Sequence, residues 1–255
     1  MPGEAVVLDG VWKVYPGGVT ALRGLSMRVN FGEVVALAGP NGAGKTTAMR
    51  IIAGLLTPTR GVVSVAGANP RAAGVGLRRI LGYLPEDAGV YRRMRGIEYL
   101  RFTASLYTGD PREREEMIRR AVEISGLGWE DLNRPMGEYS KGMKRRILVA
   151  RVLMTNPRIV LMDEPTAGVD VEHAVAIRGL LRRWAHERGA AVLFSSHNLM
   201  EVDVVADRVY IVSGGRVIAE GRPQDLKEEF KAETLEEVYL KAIKSPAPGG
   251  VVNAG

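Results

Sequence analysis

The chain has 255 residues, of which 46% are hydrophobic and 25% charged, as in one large or two small globular domains. It contains no cysteine, which excludes a disulfide framework, a thiol nucleophile and a cysteine metal site. The formal charge is +6, but most arginines are scattered along the chain among acidic residues. We therefore expect a solvated, arginine-rich surface rather than a nucleic-acid-binding face.

The N-terminus has none of the features of a segment that enters a membrane. It carries an early acid, Glu4, and lacks the basic start and long apolar core of a secretion signal. The whole chain likewise has no run of the ~18 uninterrupted apolar residues that a membrane-spanning helix needs. We expect any membrane role to depend on a partner protein.

The first ~85 residues are rich in strand patterns punctuated by glycine. Residues 33–38 form a short apolar run typical of a buried strand, and residues 48–53 favour a helix. Between them lies the nine-residue segment 39–47, GPNGAGKTT, which fits the pattern G-x-x-x-x-G-K-[ST]. Two further strands are predicted at 62–65 and 80–84.

The segment 39–47, called the P-loop from here on, has the chemistry to hold a triphosphate. Glycines let the backbone turn its N–H groups inward, Lys45 offers a point charge to the β- and γ-phosphates, and Thr46 offers a hydroxyl to Mg²⁺. The following helix would direct its N-terminus at the phosphates. The residues expected to contact the nucleotide here are Gly39, Asn41, Gly42, Ala43, Gly44, Lys45, Thr46 and Thr47.

The pattern becomes helical from about 95 to 155, and strands return at 159–162, 191–194 and 209–212. A helix is predicted at about 172–188, and Thr234 and Glu237 form a capping-box pattern for a last helix through Ile243. Apolar strands that alternate with helices predict an α/β fold with a largely parallel sheet, interrupted by a helical insertion.

Polar residues follow two of these later strands. Asp163 and Glu164 come directly after 159–162, where one acid can hold a metal and the other can polarise an attacking water. The alternative is that these two acids belong to a solvated turn, and the presence of the P-loop makes this the weaker interpretation. His197 follows 191–194, where an imidazole can hydrogen-bond a γ-phosphate, although a lone histidine is more often structural. We interpret His173 and His186 as solvated surface residues.

These segments and their order resemble the nucleotide-binding domain of ATP-binding cassette (ABC) transporters over residues 5–222. The most specific element is Tyr139-Ser140-Lys141-Gly142-Met143, which is similar to the signature motif of that family, commonly Leu-Ser-Gly-Gly-Gln. A serine and a glycine at a helix N-terminus can form an anion site. An ordinary helix start is the alternative for this segment.

The resemblance implies roles for residues in and beyond the P-loop. It makes Glu164 the general base, Asp163 the acid that organises Mg²⁺ and His197 the switch histidine, with Lys45 stabilising charge. Ser140 and Gly142 would bind the γ-phosphate of an ATP held by a second subunit. Tyr15 would stack on adenine, with a core aromatic as its alternative, and Asp170 would belong to the loop that links the two sites.

Two positions depart from the family pattern. Glu86 stands where glutamine is usual; it can ligate Mg²⁺, but its carboxylate only accepts hydrogen bonds and repels a γ-phosphate unless the metal screens it. Lys141 and Met143 stand where glycine and glutamine are common. We expect Lys141 to face solvent, with a charge directed at phosphate as the alternative.

The resemblance also implies a domain organisation for the P-loop NTPase fold. It comprises a core with an antiparallel β subdomain, a helical subdomain that carries the signature, a C-terminal helical extension and a flexible tail. The expected boundaries are 1–86 with 157–222, 87–156, 223–244 and 245–255, respectively.

The implied function is an ATP-hydrolysing transporter subunit that binds ATP and Mg²⁺ and forms a dimer, most simply a homodimer, around two ATP molecules. It would drive an integral membrane permease, in an exporter, from the cytoplasmic face of the membrane. The alternative is a soluble cassette ATPase that acts on nucleic acid or ribosomes, which the basic cluster Lys144-Arg145-Arg146 keeps open. Because the chain holds one cassette, no cysteine and no sustained heptads, we expect no nucleic-acid partner.

Overall fold

The computed structural model of the protein describes residues 3–244, so the tail expected at 245–255 lies outside the described residues. The strands, in chain order, are β1 (Glu4–Val14), β2 (Thr20–Asn30), β3 (Val34–Ala38), β4 (Arg60–Val65), β5 (Leu81–Leu84), β6 (Ile159–Asp163), β7 (Ala191–Ser196), β8 (Arg208–Ser213) and β9 (Arg216–Gly221). The helices are α1 (Lys45–Ile52), α2 (Gly74–Ile80), α3 (Gly96–Tyr107), α4 (Pro111–Ser125), α5 (Trp129–Leu132), α6 (Lys141–Leu153), α7 (Val171–His186), α8 (Leu199–Val205), α9 (Pro223–Glu229) and α10 (Leu235–Lys244), with a 3₁₀ turn at Met136–Glu138.

The larger sheet has six strands in the order β5-β6-β7-β3-β8-β9. Its strands run parallel except for β9, which pairs antiparallel with β8. Every residue of β3, β6 and β7 is buried, because these strands are covered on both faces, and their side chains are apolar except for Asp163, Ser195 and Ser196 at the carboxyl ends. The carboxyl ends of these three central strands therefore meet at one edge of the sheet.

The smaller sheet is antiparallel, with the order β2-β1-β4. Buried residues recur at every second or third position of β2, as expected for a strand with one face on the core and one towards solvent. The two sheets and the surrounding helices make the α/β P-loop NTPase fold, with an antiparallel β part and an inserted helical part, and this confirms the fold class predicted from the sequence.

Alternate residues of β3 face two different hydrophobic cores. Val34, Ala36 and Ala38 pack with the helical segment and α7 to α10, whereas Val35 and Leu37 pack with α1 and the small sheet. The larger sheet thus separates two cores, and a site at its edge is supported from both sides.

Local sequence signals account for the helix ends that matter for the site. The Ser140 hydroxyl accepts a hydrogen bond from the Met143 N–H at the start of α6, and the Asp170 carboxylate accepts one from the His173 N–H at the start of α7. At the start of α1, Gly44 adopts a left-handed conformation with φ 105°, which glycine tolerates without a steric penalty.

Details of two predicted elements differ from the structure. Ile80 ends α2, so the strand expected from 80 begins at Leu81. The last helix follows Thr234 as expected, and the Thr234 hydroxyl accepts a hydrogen bond from the Glu237 N–H. The Glu237 carboxylate, however, accepts from the Glu233 N–H, one residue before the position a capping box requires.

Within residues 3–244 we find no helix with the length and apolar character needed to cross a bilayer.

Candidate functional site

The P-loop connects the end of β3 to α1 and lines a cleft of about 310 Å³ with Ala21, Glu86 and Glu164; we call this the nucleotide cleft. Its glycines are required by the geometry. Gly39 has φ 153°, and a Cβ atom there would collide with the Val212 carbonyl oxygen of β8. At Gly44, a Cβ atom would lie 2.6 Å from the Ala21 carbonyl oxygen. The close approach of neighbouring backbone thus excludes larger residues at both positions.

Lys45 is buried at the base of the nucleotide cleft, with only 6% of its side chain exposed. Its Nζ atom donates to the carbonyl oxygens of Gly39 at 2.6 Å and Pro40 at 3.2 Å, and lies 3.6 Å from Glu164 Oε1. The ammonium group is therefore held by the P-loop backbone beside a buried carboxylate. From this position it can offer positive charge to a phosphate bound in the cleft.

Asp163 and Glu164 lie at the carboxyl end of β6, and both are buried. The Ser195 hydroxyl on β7 donates to Asp163 Oδ1 and accepts a hydrogen bond from the Glu164 N–H at 3.0 Å. Among the described residues, Asp163 Oδ2 and Glu164 Oε1 are buried without a hydrogen-bond partner. Buried carboxylate oxygens without partners suit a hard cation and its water ligands, so the donor set fits Mg²⁺.

Glu164 adopts an unusual backbone conformation for a residue with a side chain, with φ 51°. Its Oε2 atom lies 2.9 Å from Nδ1 of His197, which follows β7. The His197 side chain is half exposed, whereas that of Glu164 is 6% exposed. The structure thus brings the predicted residues Lys45, Glu164 and His197 together at one sheet edge.

The remaining residues predicted to hold metal or nucleotide lie around this cluster. Glu86, on the loop after β5, is exposed and lines the nucleotide cleft opposite the first turn of α1, which contains Thr46. Tyr15 lies just beyond β1, is half buried, and its hydroxyl is 3.3 Å from Thr47 Oγ1. Because it follows the strand and is only half buried, Tyr15 is not a core aromatic.

The signature residues form a second cluster away from the P-loop. Ser140 is exposed at the start of α6, and Gly142 is buried against α7. A Cβ atom at Gly142 would lie 2.8 Å from His173 Cγ and 3.0 Å from Asp170 Oδ2. Gly142 and Asp170 are therefore neighbours, but the residues that line the nucleotide cleft of this chain, within 3–244, include no member of this second cluster.

His173 is at the surface but is less solvated than expected. Its side chain is 21% exposed, and its Nδ1 atom lies 2.6 Å from Asp170 Oδ1, while its ring packs over Gly142. This hydrogen bond is the main cause that lowers the pKa of the Asp170 carboxyl below its usual value. The sequence contained a signal for this contact, because His173 lies three residues after Asp170, the residue that caps the start of α7. His186, by contrast, is exposed as expected and its Nε2 atom lies 2.8 Å from Asp207 Oδ2.

Sequence reasoning also missed Arg145, which it placed in a basic surface cluster. In the structure Arg145 is 8% exposed and its guanidinium group contacts the backbone beyond β6. Arg146 instead packs beside Gly126, where it lines a separate cleft formed by α4, α6 and α7. The cluster therefore does not present all three of its charges to solvent. The run lies near the start of a helix with a buried face, but three consecutive residues can all fit on the polar side of such a helix, so the pattern alone did not mark Arg145 as buried.

Comparisons with known proteins agree with this geometry. Residues 22–167 match the family model described as ABC transporter. The chain is 35% identical over 228 residues to the ABC transporter ATP-binding protein NatA of Bacillus subtilis, covering 88% of this chain and 91% of NatA. It is also 35% identical over 237 residues to the lipopolysaccharide export system ATP-binding protein LptB of Escherichia coli, covering 89% of this chain and 93% of LptB.

The fold is similar to a dimeric structure of a post-hydrolysis state of an ATP-binding cassette bound to ADP and Pi. The TM-score is 0.76 at 25% identity, and the match covers 85% of this chain and 98% of that one. The similarity thus spans nearly the whole cassette rather than the P-loop alone.

Proposed function

This chain belongs to the ABC transporter family as an ATP-binding cassette subunit, and we propose that it hydrolyses ATP in a homodimer to drive the permease of an exporter. The observation that carries the proposal is the cluster of Lys45, Glu164 and His197 at the edge of the larger sheet. A P-loop alone binds nucleotide, whereas a buried carboxylate beside it supplies a base for water attack.

In the proposed mechanism, Glu164 accepts a proton from the attacking water and the half-exposed His197 orients that carboxylate through its 2.9 Å contact. Lys45 offers its charge to the γ-phosphate, where negative charge develops during in-line transfer. Tyr15, half buried beside Thr47 at the rim of the P-loop with Lys13 Nζ 5.4 Å from its ring centroid, is the aromatic on which adenine would stack.

Thr46, Glu86 and Asp163 are the residues that would hold Mg²⁺. Their oxygens belong to the ligand class that this cation prefers, and Asp163 Oδ2 has no other partner among the described residues. When bound, the metal supplies charge neutralisation for the phosphates. Asp163 is pre-oriented for this role because Ser195 occupies its other oxygen.

The homodimer is supported by the separation of the two halves of the site. Ser140 and Asp170, both exposed, and the buried Gly142 between them form a helix-start cluster that does not line the nucleotide cleft of the same chain within residues 3–244. A second copy in head-to-tail orientation would place its Ser140 against the ATP bound here. The dimeric cassette structure with a similar fold is consistent with this arrangement.

A permease would bind beside Glu86 in this proposal. Large apolar side chains are exposed on α3 and the loop before it, and the Tyr91 ring makes edge contacts with Tyr99 and Phe102. Such a patch suits a partner helix. We propose that residues 87–156 move relative to residues 1–86 and 157–222 when the dimer closes on ATP. This movement would displace the partner helix at the cytoplasmic face of the membrane. The export role of LptB supports the direction of transport.

The test is the Glu164→Gln variant of the full chain. It keeps the size and hydrogen bonds of the side chain but removes the base, so we expect ATP to bind and the hydrolysis rate to fall by on the order of 10²-fold or more. With ATP and Mg²⁺ the variant should elute as a dimer in light scattering, and without nucleotide as a monomer. A protein that stays monomeric with both, or that hydrolyses ATP at the wild-type rate, contradicts the proposal.

The permease surface needs a separate test with the membrane protein encoded by the neighbouring gene. Phe102→Ala should weaken its co-purification with the cassette, while Trp129→Ala, which alters another exposed aromatic on a different helix, should not. Equal recovery with both variants would exclude the α3 patch as the docking surface.

A further inference from the structure

Arg145 makes three hydrogen bonds to consecutive backbone carbonyls at the carboxyl end of β6. Its Nε atom donates to the Pro165 oxygen at 2.8 Å, and its Nη2 atom donates to the oxygens of Asp163 at 2.8 Å and Glu164 at 2.5 Å. The guanidinium group therefore crosses from the signature helix α6 to the turn that carries the proposed base.

Contacts from inside and outside this turn hold it in place. Glu164 has φ 51°, a strained conformation for a residue with a side chain, and such conformations persist only where surrounding contacts enforce them. The Glu164 carbonyl oxygen accepts a hydrogen bond from the Ala167 N–H at 3.2 Å within the turn, and Arg145 adds donors from outside it. The planar fork of arginine carries its donors on several nitrogens in a fixed geometry, whereas the donors of a lysine all lie on one ammonium nitrogen. Arg145 thus reaches three carbonyl oxygens of a strained, buried turn.

Arg145 is also a buried positive charge, 8% exposed, and its three hydrogen bonds to this turn go to backbone oxygens. Burial lowers the pKa of its guanidinium, while the negative charges of Asp163, Glu164 and Glu86 oppose that change. Lys45, likewise buried, lies on the P-loop with its Nζ atom 3.6 Å from Glu164 Oε1.

We propose that Arg145 is a positioning residue that holds the Glu164 turn in its active conformation. The inference rests on the proposed function, because Glu164 is there the general base. It also connects the two halves of the molecule: Ser140, at the start of α6, and Glu164 are joined through one side chain on that helix. A movement of α6 would then change the position of Glu164, the proposed general base.

The first test compares Arg145→Gln with Arg146→Gln, which removes the same charge from the next residue of α6 but alters a side chain in a different cleft. We expect Arg145→Gln to lower kcat roughly 10- to 100-fold, with the Kd for ATP within about twofold of wild type. Arg146→Gln should keep the wild-type kcat. Arg145→Lys, which retains the charge but not the fork, should fall between wild type and Arg145→Gln. A wild-type kcat in Arg145→Gln, or an equal loss of ATP affinity, would overturn the proposal.

A second measurement does not depend on hydrolysis. Hydrogen exchange of the amides in 163–169 should be faster in Arg145→Gln than in wild type or Arg146→Gln, with β3 and α1 unchanged, because the turn loses the three hydrogen bonds of the guanidinium. If the wild-type chain fails to hydrolyse ATP, the proposed function fails, while this exchange still decides whether Arg145 holds the turn. Unchanged exchange in 163–169 would overturn the positioning role even in an active enzyme.

Discussion

Glu164 and His197 meet across the carboxyl ends of two neighbouring parallel strands, with Oε2 of the glutamate 2.9 Å from Nδ1 of the histidine. The pairing of Asp163 on β6 with Ser195 on β7 fixes this relation, because it aligns the residues that follow each strand. A ligand in a parallel α/β fold binds at this edge of the sheet. The contact therefore depends on strand register, which brings His197 to the carboxylate of a residue 33 positions earlier in the sequence.

This contact predicts a specific loss of activity. His197→Ala removes the group that orients the Glu164 carboxylate, so we expect kcat for ATP hydrolysis to fall by on the order of 10²-fold with little change in ATP affinity. His186→Ala is the matched control, because His186 pairs with Asp207 away from the nucleotide cleft. A steady-state phosphate-release assay with nucleotide titration separates the two effects. Equal rates in both variants would exclude the role of His197.

The packing of His173 on Gly142 predicts a steric effect on stability. Gly142→Ala places a methyl group 2.8 Å from His173 Cγ, and such overpacking costs about 1–3 kcal/mol, which exceeds the gain of roughly 1 kcal/mol from replacing a helical glycine. Adding His173→Ala should restore most of the unfolding free energy, because it removes the ring that the methyl group meets. Urea denaturation of the two single variants and the double variant measures this. Additive losses in the double variant would contradict the proposed contact.

Sequence patterns predicted the fold, and they also predicted that the P-loop, the acidic pair and His197 would lie at one sheet edge, for a physical reason. The P-loop, the Asp163-Glu164 pair and His197 each directly follow a buried apolar strand, and parallel strands bring such positions to one edge without any further information. His173 and Arg145 were missed because their roles depend on which side of a helix faces its neighbour. Glycine at 142 leaves the space that the His173 ring fills, and no local pattern marks that space.

The larger core can be tested at Trp184, which lies on α7 with 2% of its surface exposed. Its Nε1 atom donates to the Pro157 carbonyl oxygen at 3.1 Å, and the Arg188 guanidinium lies over its ring. Trp184→Phe leaves the carbonyl without its donor, so we expect a loss of about 1–3 kcal/mol in unfolding free energy. Trp129→Phe, at a side chain 61% exposed, should change it by less than about 0.5 kcal/mol. Similar midpoints in urea for both variants would contradict this account of Trp184.

Tyr83 on β5 predicts a dependence of stability on alkaline pH. Burial, followed by the negative charge of Asp163, raises the pKa of its hydroxyl from 10.0 to about 12. Between these values the unfolded chain releases the proton while the folded chain retains it, so Tyr83 makes the protein less stable as pH rises through this window. Below pH 10 both states hold the proton and no dependence arises from this residue.

The Tyr83→Phe variant isolates that effect. At pH 7–9 we expect stability equal to or slightly above wild type, because the buried Tyr83 hydroxyl has no hydrogen-bond partner among the described residues. Above pH 10 the difference in unfolding free energy between variant and wild type should grow in favour of the variant, by at most about 1.4 kcal/mol per pH unit. The other tyrosines titrate in both proteins and cancel in this difference. A difference that stays flat from pH 8 to pH 12 would show that Tyr83 ionises alike in the folded and unfolded chains, and that its hydroxyl does not sense Asp163.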